Sequence, residues 1–251
     1  AQALPASFDS RAQWHVSETV LDQGQCGSCW SFATVESLAD RLFISSGGDA
    51  PEDILSPQAL VSCDNSTSSG CDGGYEASAW EYLINHGVTT CTEECTSGCD
   101  PYVSGNCQEG QDTNHDGCTA CNDQTCTSGL PWSDVHKAAG YATIDNSVAD
   151  IMEELATNGP VSTCFTLYEN FYKLMGAYPD MIYNATGSDN VGGHCVLIVG
   201  YGTDAAASMD YWLVKNSWSS AWGDGGFFRI KRGVNLAGFE SGVVAGFPAK
   251  D

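Results

Sequence analysis

Residues Gln23–Phe32 read QGQCGSCWSF. Two cysteines, Cys26 and Cys29, stand three positions apart beside Trp30. Such a pair is a redox couple, a metal clip, or a bridging cysteine next to a nucleophile. The surrounding residues favour the last. Ser28 stands where a helix cap is expected, ahead of CWSFATVESLADRLFI, in which Trp30, Ala33, Val35, Leu38 and Leu42 recur at helical spacing. Cys29 would then lie on the first turn, where the positive end of the helix dipole stabilises a thiolate.

A nucleophilic thiol also needs an imidazole and a group to orient it. The stretch GGHCVLIVGYG offers His194 at the start of an apolar, strand-like run. KNSWSSAWGDGG offers Asn216 to hold the ring and Trp218 to shield that bond. Gln23, six residues before Cys29, could donate its amide to an oxyanion together with the Cys29 N–H. His15, His86, His115 and His136 fit no second arrangement of this kind and read as surface or structural.

The chain of 251 residues carries 32 acidic and 9 basic side chains, a net charge of -23. That charge repels nucleic acid and anionic membrane surfaces and leaves cationic or neutral polymers, proteins among them, as partners. No apolar run approaches the ~20 residues that span a bilayer. AQALPASFDS lacks a basic start followed by an apolar block, so a processed form is expected. Many of the thirteen cysteines crowd between Cys63 and Cys126, in a stretch rich in Gly, Ser, Thr, Asp and Asn. This suits loops tied by disulfides in an oxidising compartment, a lysosome-like vacuole or the exterior. The odd count leaves one thiol over. The sequons at Asn65 and Asn184 suit the same compartment.

Helices come first and strands later. SPQALVSC reads as a short helix with Ser56 as cap and Pro57 in the first turn, and YEASAWEYLINHG as another ended by Gly87. Residues 89–135 have no clear periodicity. Ser147 caps a helix through Leu155 that stops at Asn158-Gly159-Pro160. VSTCFTLY, HCVLIVGYG, DYWLVKNSW, GFFRIKRG and SGVVAGF read as strands. The order implies an α+β chain with two lobes.

QGQCGSCWSF, GGHCV, KNSW and WGDGGFF, in this order along nearly the whole chain, resemble the papain-like cysteine proteases. LPASFDSR, CDGGY, DIMEELATNGPV and ESGVVAGFP are similar to the cathepsin B type within that family. The resemblance implies a papain-like fold with a cleft between two lobes. One is a mainly helical left lobe at 13–136 with a Cys-rich insertion at about 89–135; the other is a β-barrel-like right lobe from 1–12 and 137–251. It assigns Cys29 as nucleophile, His194 as acid and base, Asn216 as the orienting residue and Gln23 as oxyanion donor. Gly73, Gly74, Trp218, Cys164, Cys195 and Gly242 would line the substrate. No cofactor is required. A monomer is expected, with protein or peptide substrates, a pro-segment and cystatin-like inhibitors. A catalytically silent papain-fold binding protein and a transpeptidase are the alternatives.

The resemblance also implies the bridges Cys26–Cys71, Cys63–Cys121, Cys99–Cys126 and Cys107–Cys118. Cys91 and Cys95 are close enough in CTEEC to bridge locally. In the family the positions of Cys164 and Cys195 lie near each other beside the second substrate pocket, so a bridge is expected; two small buried thiols are the alternative.

Three departures stand out. Glu109 and Gly110 occupy the place where cathepsin B has a histidine pair that binds a substrate's C-terminal carboxylate, and His115 cannot form the pair alone. Dipeptidyl carboxypeptidase activity is therefore expected to be weak or absent, with endopeptidase activity dominant. Gly242 stands where cathepsin B has an acid in the S2 pocket, so apolar or aromatic P2 residues are expected, with Glu240 a possible substitute acid. Finally, Asp112, Asn114, Asp116 and Asp123 have the spacing of a calcium loop around Gly117, although a solvated acidic loop reads the same way.

Overall fold

The computed structural model describes residues 3–48, 53–107, 121–122, 124–144, 146–187 and 189–249. Glu109, Gly110, Asp112, Asn114, His115, Asp116, Gly117, Cys118 and Asp123 lie outside the described residues, and with them the expected calcium loop, the expected departure at the histidine pair and the expected Cys107–Cys118 bridge. The elements in chain order are β1 (Phe8–Asp9), α1 (Ser10–Trp14), α2 (Cys29–Ser45), β2 (Ile54–Leu55), α3 (Gln58–Cys63), α4 (Glu76–Asn85), β3 (Thr90–Thr92) and β4 (Ser97–Gly98). They continue with β5 (Ala138–Ile144), α5 (Val148–Asn158), β6 (Val161–Tyr168), α6 (Glu169–Ala177), β7 (Ile182–Tyr183), β8 (Asn190–Asp204), β9 (Met209–Lys215), β10 (Phe227–Lys231) and β11 (Val243–Pro248). The chain separates into two compact units, one from Ala1–Val20 and Ala142–Ala245, the other from Leu21–Tyr141 and Gly246–Asp251.

The first unit is built on a sheet of order β5-β11-β6-β8-β9-β10-β7, with β1 paired to β8. The fifteen-residue β8 is its spine, antiparallel to β6 and β9. Ser147 caps α5 by accepting from Asp150 N–H at 3.3 Å, and the chain turns at Gly159. Val148, Ile151, Met152 and Leu155 recur on one face of α5, and all four belong to or pack against the cluster of Val161, Phe165, Ile198, Trp212 and Phe228. Burying each such side chain stabilises by roughly 1.5–3 kcal/mol. Val20 packs with Leu197, Val199 and Phe227, which holds the N-terminal segment in this unit.

Glu240 is 3 % exposed here and fully engaged. Its carboxylate accepts from Trp212 Nε1 at 2.9 Å, Gly233 N at 2.6 Å and Asn235 N at 2.7 Å. A buried carboxylate persists only with such donors. Those bonds hold the 233–235 turn, whose Asn235 has a left-handed φ of 46°.

The second unit is organised around α2. Its residues from Trp30 to Arg41 are all buried, polar ones included, so α2 is a central helix rather than an amphipathic one. Three of its buried polar side chains are bonded: Ser31 Oγ donates to Pro57 O at 2.7 Å, Thr34 Oγ1 to Trp30 O at 2.7 Å and Arg41 Nη1 to Gly246 O at 2.9 Å. Trp80 of α4 is fully buried against Gly246, where an added Cβ would come within 2.0 Å of the indole. Cys26–Cys71, Cys63–Cys121, Cys91–Cys95 and Cys99–Cys126 are formed in this unit, and Cys164–Cys195 in the other.

Several local expectations change. Ser28 occupies the cap position of α2 but makes no side-chain cap bond; its hydroxyl pairs with Tyr102 instead. α3 begins one residue later than expected, with Pro57 at the cap position, while Ser56 Oγ still accepts from Gln58 N–H at 3.1 Å. Residues 89–135 are not free of structure, because β2, β3 and β4 form a small antiparallel sheet in register through Ile54–Cys91 and Cys91–Gly98. No pattern in the sequence announces β1, α1, β2, β5, α6 or β7.

Glu240→Ala would orphan the buried Trp212 N–H and two backbone N–H groups, so we expect a loss of about 3 kcal/mol or more in urea denaturation. A loss under about 1 kcal/mol would contradict this account of the turn.

Candidate active site

The residues singled out from the sequence fall into two sets, one in each unit. In the second unit, Cys29 is the first residue of α2, half-buried and in no disulfide. The loop before it is tied at four points. Cys26 is bridged to Cys71, Gly27 N–H donates to Cys71 O at 2.9 Å, Gln25 N–H donates to Gly105 O at 2.8 Å, and Gln23 Nε2 donates to Cys26 O at 2.9 Å. Gly24 takes a φ of 62° and lies so close to Gly105 that an added Cβ would sit 2.1 Å from its carbonyl oxygen. Only glycine fits there. Gln23 is 6 % exposed, so its amide has a fixed direction.

Gly73 and Gly74 follow a turn closed by Ser69 N–H donating to Gly73 O at 2.8 Å. Gly73 has a φ of 105° with open space where a Cβ would stand, whereas a Cβ on Gly74 would meet the Trp30 ring at 2.5 Å. Both glycines are thus required by the backbone, one by conformation and one by close approach.

In the first unit, β8 carries His194 and the segment after β9 carries Asn216 and Trp218. His194 Nε2 lies 2.7 Å from Asn216 Oδ1. That oxygen also accepts from Ser217 N–H at 2.9 Å, which identifies it as the carbonyl oxygen of the amide. Nε2 therefore carries the proton and donates, and in the neutral ring Nδ1 is the basic nitrogen. Trp218 stacks on the imidazole with centroids 4.6 Å apart, and Phe165 meets it edge-on at 5.9 Å. Tyr172 stacks on Trp218 at 4.9 Å, a residue the sequence reading had not connected to the site.

His194 is 2 % exposed. Burial pushes its pKa down to about 4, while the Asn216 bond, which favours the charged form, opposes this more weakly. Without a compensating negative charge, the imidazole is neutral throughout the mildly acidic range.

Cys164 and Cys195 are direct cross-strand partners between β6 and β8, with Cα atoms 4.0 Å apart, and Cys195 follows His194 in the chain. The bridge thus fastens β8 beside the histidine. Gly242 has a φ of 75° and open space around its Cβ position. Glu240 does not serve as a substitute pocket acid, because its carboxylate is committed to the three donors described above.

Two other polar groupings lie in the second unit. Asp53, Asp134 and His136 bring potential ligand atoms within 4.8 Å of one another; both carboxylates are exposed and the imidazole already lies 3.2 Å from Asp134 Oδ1. A polar hollow of about 670 Å³ surrounds the Cys63–Cys121 bridge, with Asp64, Glu81 and His86 in its wall, and includes neither Cys29 nor Gln23.

The sequence profile of the papain family cysteine proteases matches residues 4–247. A cathepsin B-like cysteine proteinase 5 of Caenorhabditis elegans is 39% identical over 269 residues, covering 99% of this chain and 76% of the relative. A gut-specific cysteine proteinase of the same organism is 38% identical, covering 97% and 74%. The solved procathepsin B S9 of Trypanosoma congolense superposes with a TM-score of 0.83 at 29% identity, covering 99% of this chain and 79% of that one.

In a Cys29→Ala variant, His194 is expected to titrate near 4 by NMR. The sign for stability follows: between pH 6.5 and 4 the unfolded chain takes up a proton that the folded chain refuses. The variant therefore loses stability as pH falls through this window, by about 3 kcal/mol from this group. A His194 pKa at or above 6.5 in that variant would contradict the reading.

Proposed function

The chain belongs to the papain family of cysteine proteases, and from that premise we propose that Cys29 and His194 are its nucleophile and its acid–base group. The observation that carries this is the tautomer fixed at His194: Nε2–H is held by Asn216 and Nδ1 is the nitrogen that accepts a proton. Proton transfer from the Cys29 thiol to Nδ1 gives a thiolate at the first turn of α2, where the helix dipole favours negative charge. The thiolate charge in turn offsets the burial that otherwise keeps His194 neutral.

The thiolate attacks the peptide carbonyl carbon, and the carbonyl oxygen becomes an oxyanion. The Cys29 N–H and the Gln23 amide donate to it. As the C–N bond breaks, the imidazolium at Nδ1 protonates the leaving amine. Water then attacks the thioester, His194 takes its proton, and collapse releases the acid and the thiolate. Papain-family proteases need no cofactor for these steps. Trp218 keeps water from the His194–Asn216 bond.

The protein is cathepsin B-like. We further propose that it is chiefly an endopeptidase, because Glu109 and Gly110 provide no cation for a substrate's terminal carboxylate. Gly74 presents backbone to the extended substrate beside Trp30, and Gly73, Trp218, Gly242 and the Cys164–Cys195 bridge complete the substrate surface. With no acid at Gly242, P2 is apolar or aromatic. Like the solved procathepsin relative, the protein would be made with a pro-segment. The disulfides support an oxidising compartment, a lysosome-like vacuole or the exterior; among the described residues no helix is long and apolar enough to cross a membrane.

A timed digest of a long unstructured peptide, read by mass spectrometry, tests this directly. Early internal cuts after apolar P2 residues are expected, absent in Cys29→Ala; stepwise loss of C-terminal dipeptides would overturn the endopeptidase reading. Gly242→Glu should raise kcat/KM for Arg at P2 by about 10-fold or more relative to the wild type, at a stability cost of about 1 kcal/mol for a non-glycine residue at positive φ. No gain for Arg would remove Gly242 from the pocket.

A further inference from the structure

We infer that Tyr102 is a positioning residue for the oxyanion side of the site, a role that rests on the reading of Gln23 and Cys29 proposed above. Tyr102 lies 79 residues from Gln23 in the chain, and its hydroxyl donates to the Gln23 backbone carbonyl at 2.9 Å. The same hydroxyl lies 2.8 Å from Ser28 Oγ. A phenol has one proton. With that proton given to Gln23, Ser28 must be the donor in the second bond, so a directed chain runs from Ser28 O–H to Tyr102 Oη to Gln23 C=O. The two ends of this chain are the residue whose side-chain amide faces the oxyanion and the residue immediately before the Cys29 N–H. Tyr102 therefore sets the separation of the two oxyanion donors.

The clamp itself is rigid. The Tyr102 ring meets Phe32 of α2 edge-on, centroids 4.8 Å apart. Its segment is held on both sides. Asp100 accepts from Ser56 Oγ at 3.1 Å and from Asn122 Nδ2 at 2.7 Å, Gln58 Oε1 accepts from Val103 N at 2.8 Å, and Gly105 O accepts from Gln25 N. Burial raises the phenol pKa above its ordinary value; the Ser28 hydrogen bond opposes this in part, and the charges of Asp22 and Cys29 add smaller upward pushes. The proton stays on the phenol throughout the working range, and the direction of the chain does not change with pH.

Oxyanion stabilisation depends on donors placed for the transition state rather than for bound substrate, and loss of one donor outright costs about 10²–10³ in kcat. Loosening two donors without removing them should cost less. Tyr102→Phe keeps the ring and the Phe32 contact and removes both hydrogen bonds. We expect kcat to fall on the order of 10-fold with KM within about 2-fold, and the rate and pH profile of Cys29 alkylation by iodoacetamide to stay unchanged, since thiolate formation belongs to His194. Ser28→Ala, which removes only the incoming donor, should show the same pattern with a smaller loss. In Gln23→Ala/Tyr102→Phe the second change should add little to the first, because Tyr102 acts through Gln23. Wild-type kcat in Tyr102→Phe, or fully multiplicative losses in the double variant, would overturn the proposal. So would an altered alkylation profile, which would place Tyr102 on the thiolate instead. If Gln23→Ala itself keeps wild-type kcat, the oxyanion reading of Gln23 fails, and that failure is seen separately from any result at Tyr102.

Discussion

The bridge from Cys26 to Cys71 is the constraint on which the candidate site depends. In the role proposed for it, the loop before α2 presents a side-chain amide and a backbone N–H together, so its own position has to be fixed. The loop is held by the disulfide, by the Gly27 and Gln25 N–H groups bonded to Cys71 and Gly105, by the Gln23 carbonyl bonded to Tyr102, and by one bond from the Gln23 amide to Cys26 O. α2 then receives Cys29 at its first turn without a side-chain cap, because Ser28 is turned toward Tyr102. The fold gives up a cap bond worth about 1 kcal/mol and gains a fixed entry to the helix.

The histidine set follows a different logic. His194 is buried among aromatic rings and bonded only where its proton must stay. Burial disfavours the imidazolium, so the charged ring requires a negative partner. On the proposed pairing with Cys29, the nucleophile would set the proton affinity of this ring. Glu240 shows the contrasting use of a buried carboxylate in the same unit. It is saturated by three donors and does structural work, which removes it from specificity.

How much of this the sequence discloses depends on the range of the interactions. α5 was legible because its cap, its apolar stripe and its stop are local to Ser147, Leu155 and Gly159. β6, β8, β9, β10 and β11 were legible as apolar runs, whereas the two-residue β7 was not. α6 was not, because Tyr168 continues the β6 pattern and supplies no cap bond. α1 is only five residues, set by Asp9 and ended by a left-handed His15, and has no room for a periodicity. Of the candidate site, Cys29, His194, Asn216 and Gln23 are named by motifs, and the Asn216 carbonyl lies 2.7 Å from His194 Nε2. Tyr102 was invisible: nothing in PYVSGN signals a bond to residues 74 and 79 positions earlier. The engagement of Glu240 was equally hidden, since it depends on a tryptophan brought close by the sheet.

The central claim is that Cys29 and His194 act as one proton-sharing pair. The most direct measurement is the rate of Cys29 alkylation by iodoacetamide as a function of pH, in the wild type and in His194→Gln. The account predicts a wild-type rate that remains high well below the ordinary thiol range, and a variant whose rate rises only as pH approaches about 8.5. Identical profiles in the two proteins would show that the thiolate does not depend on His194, and would contradict the account.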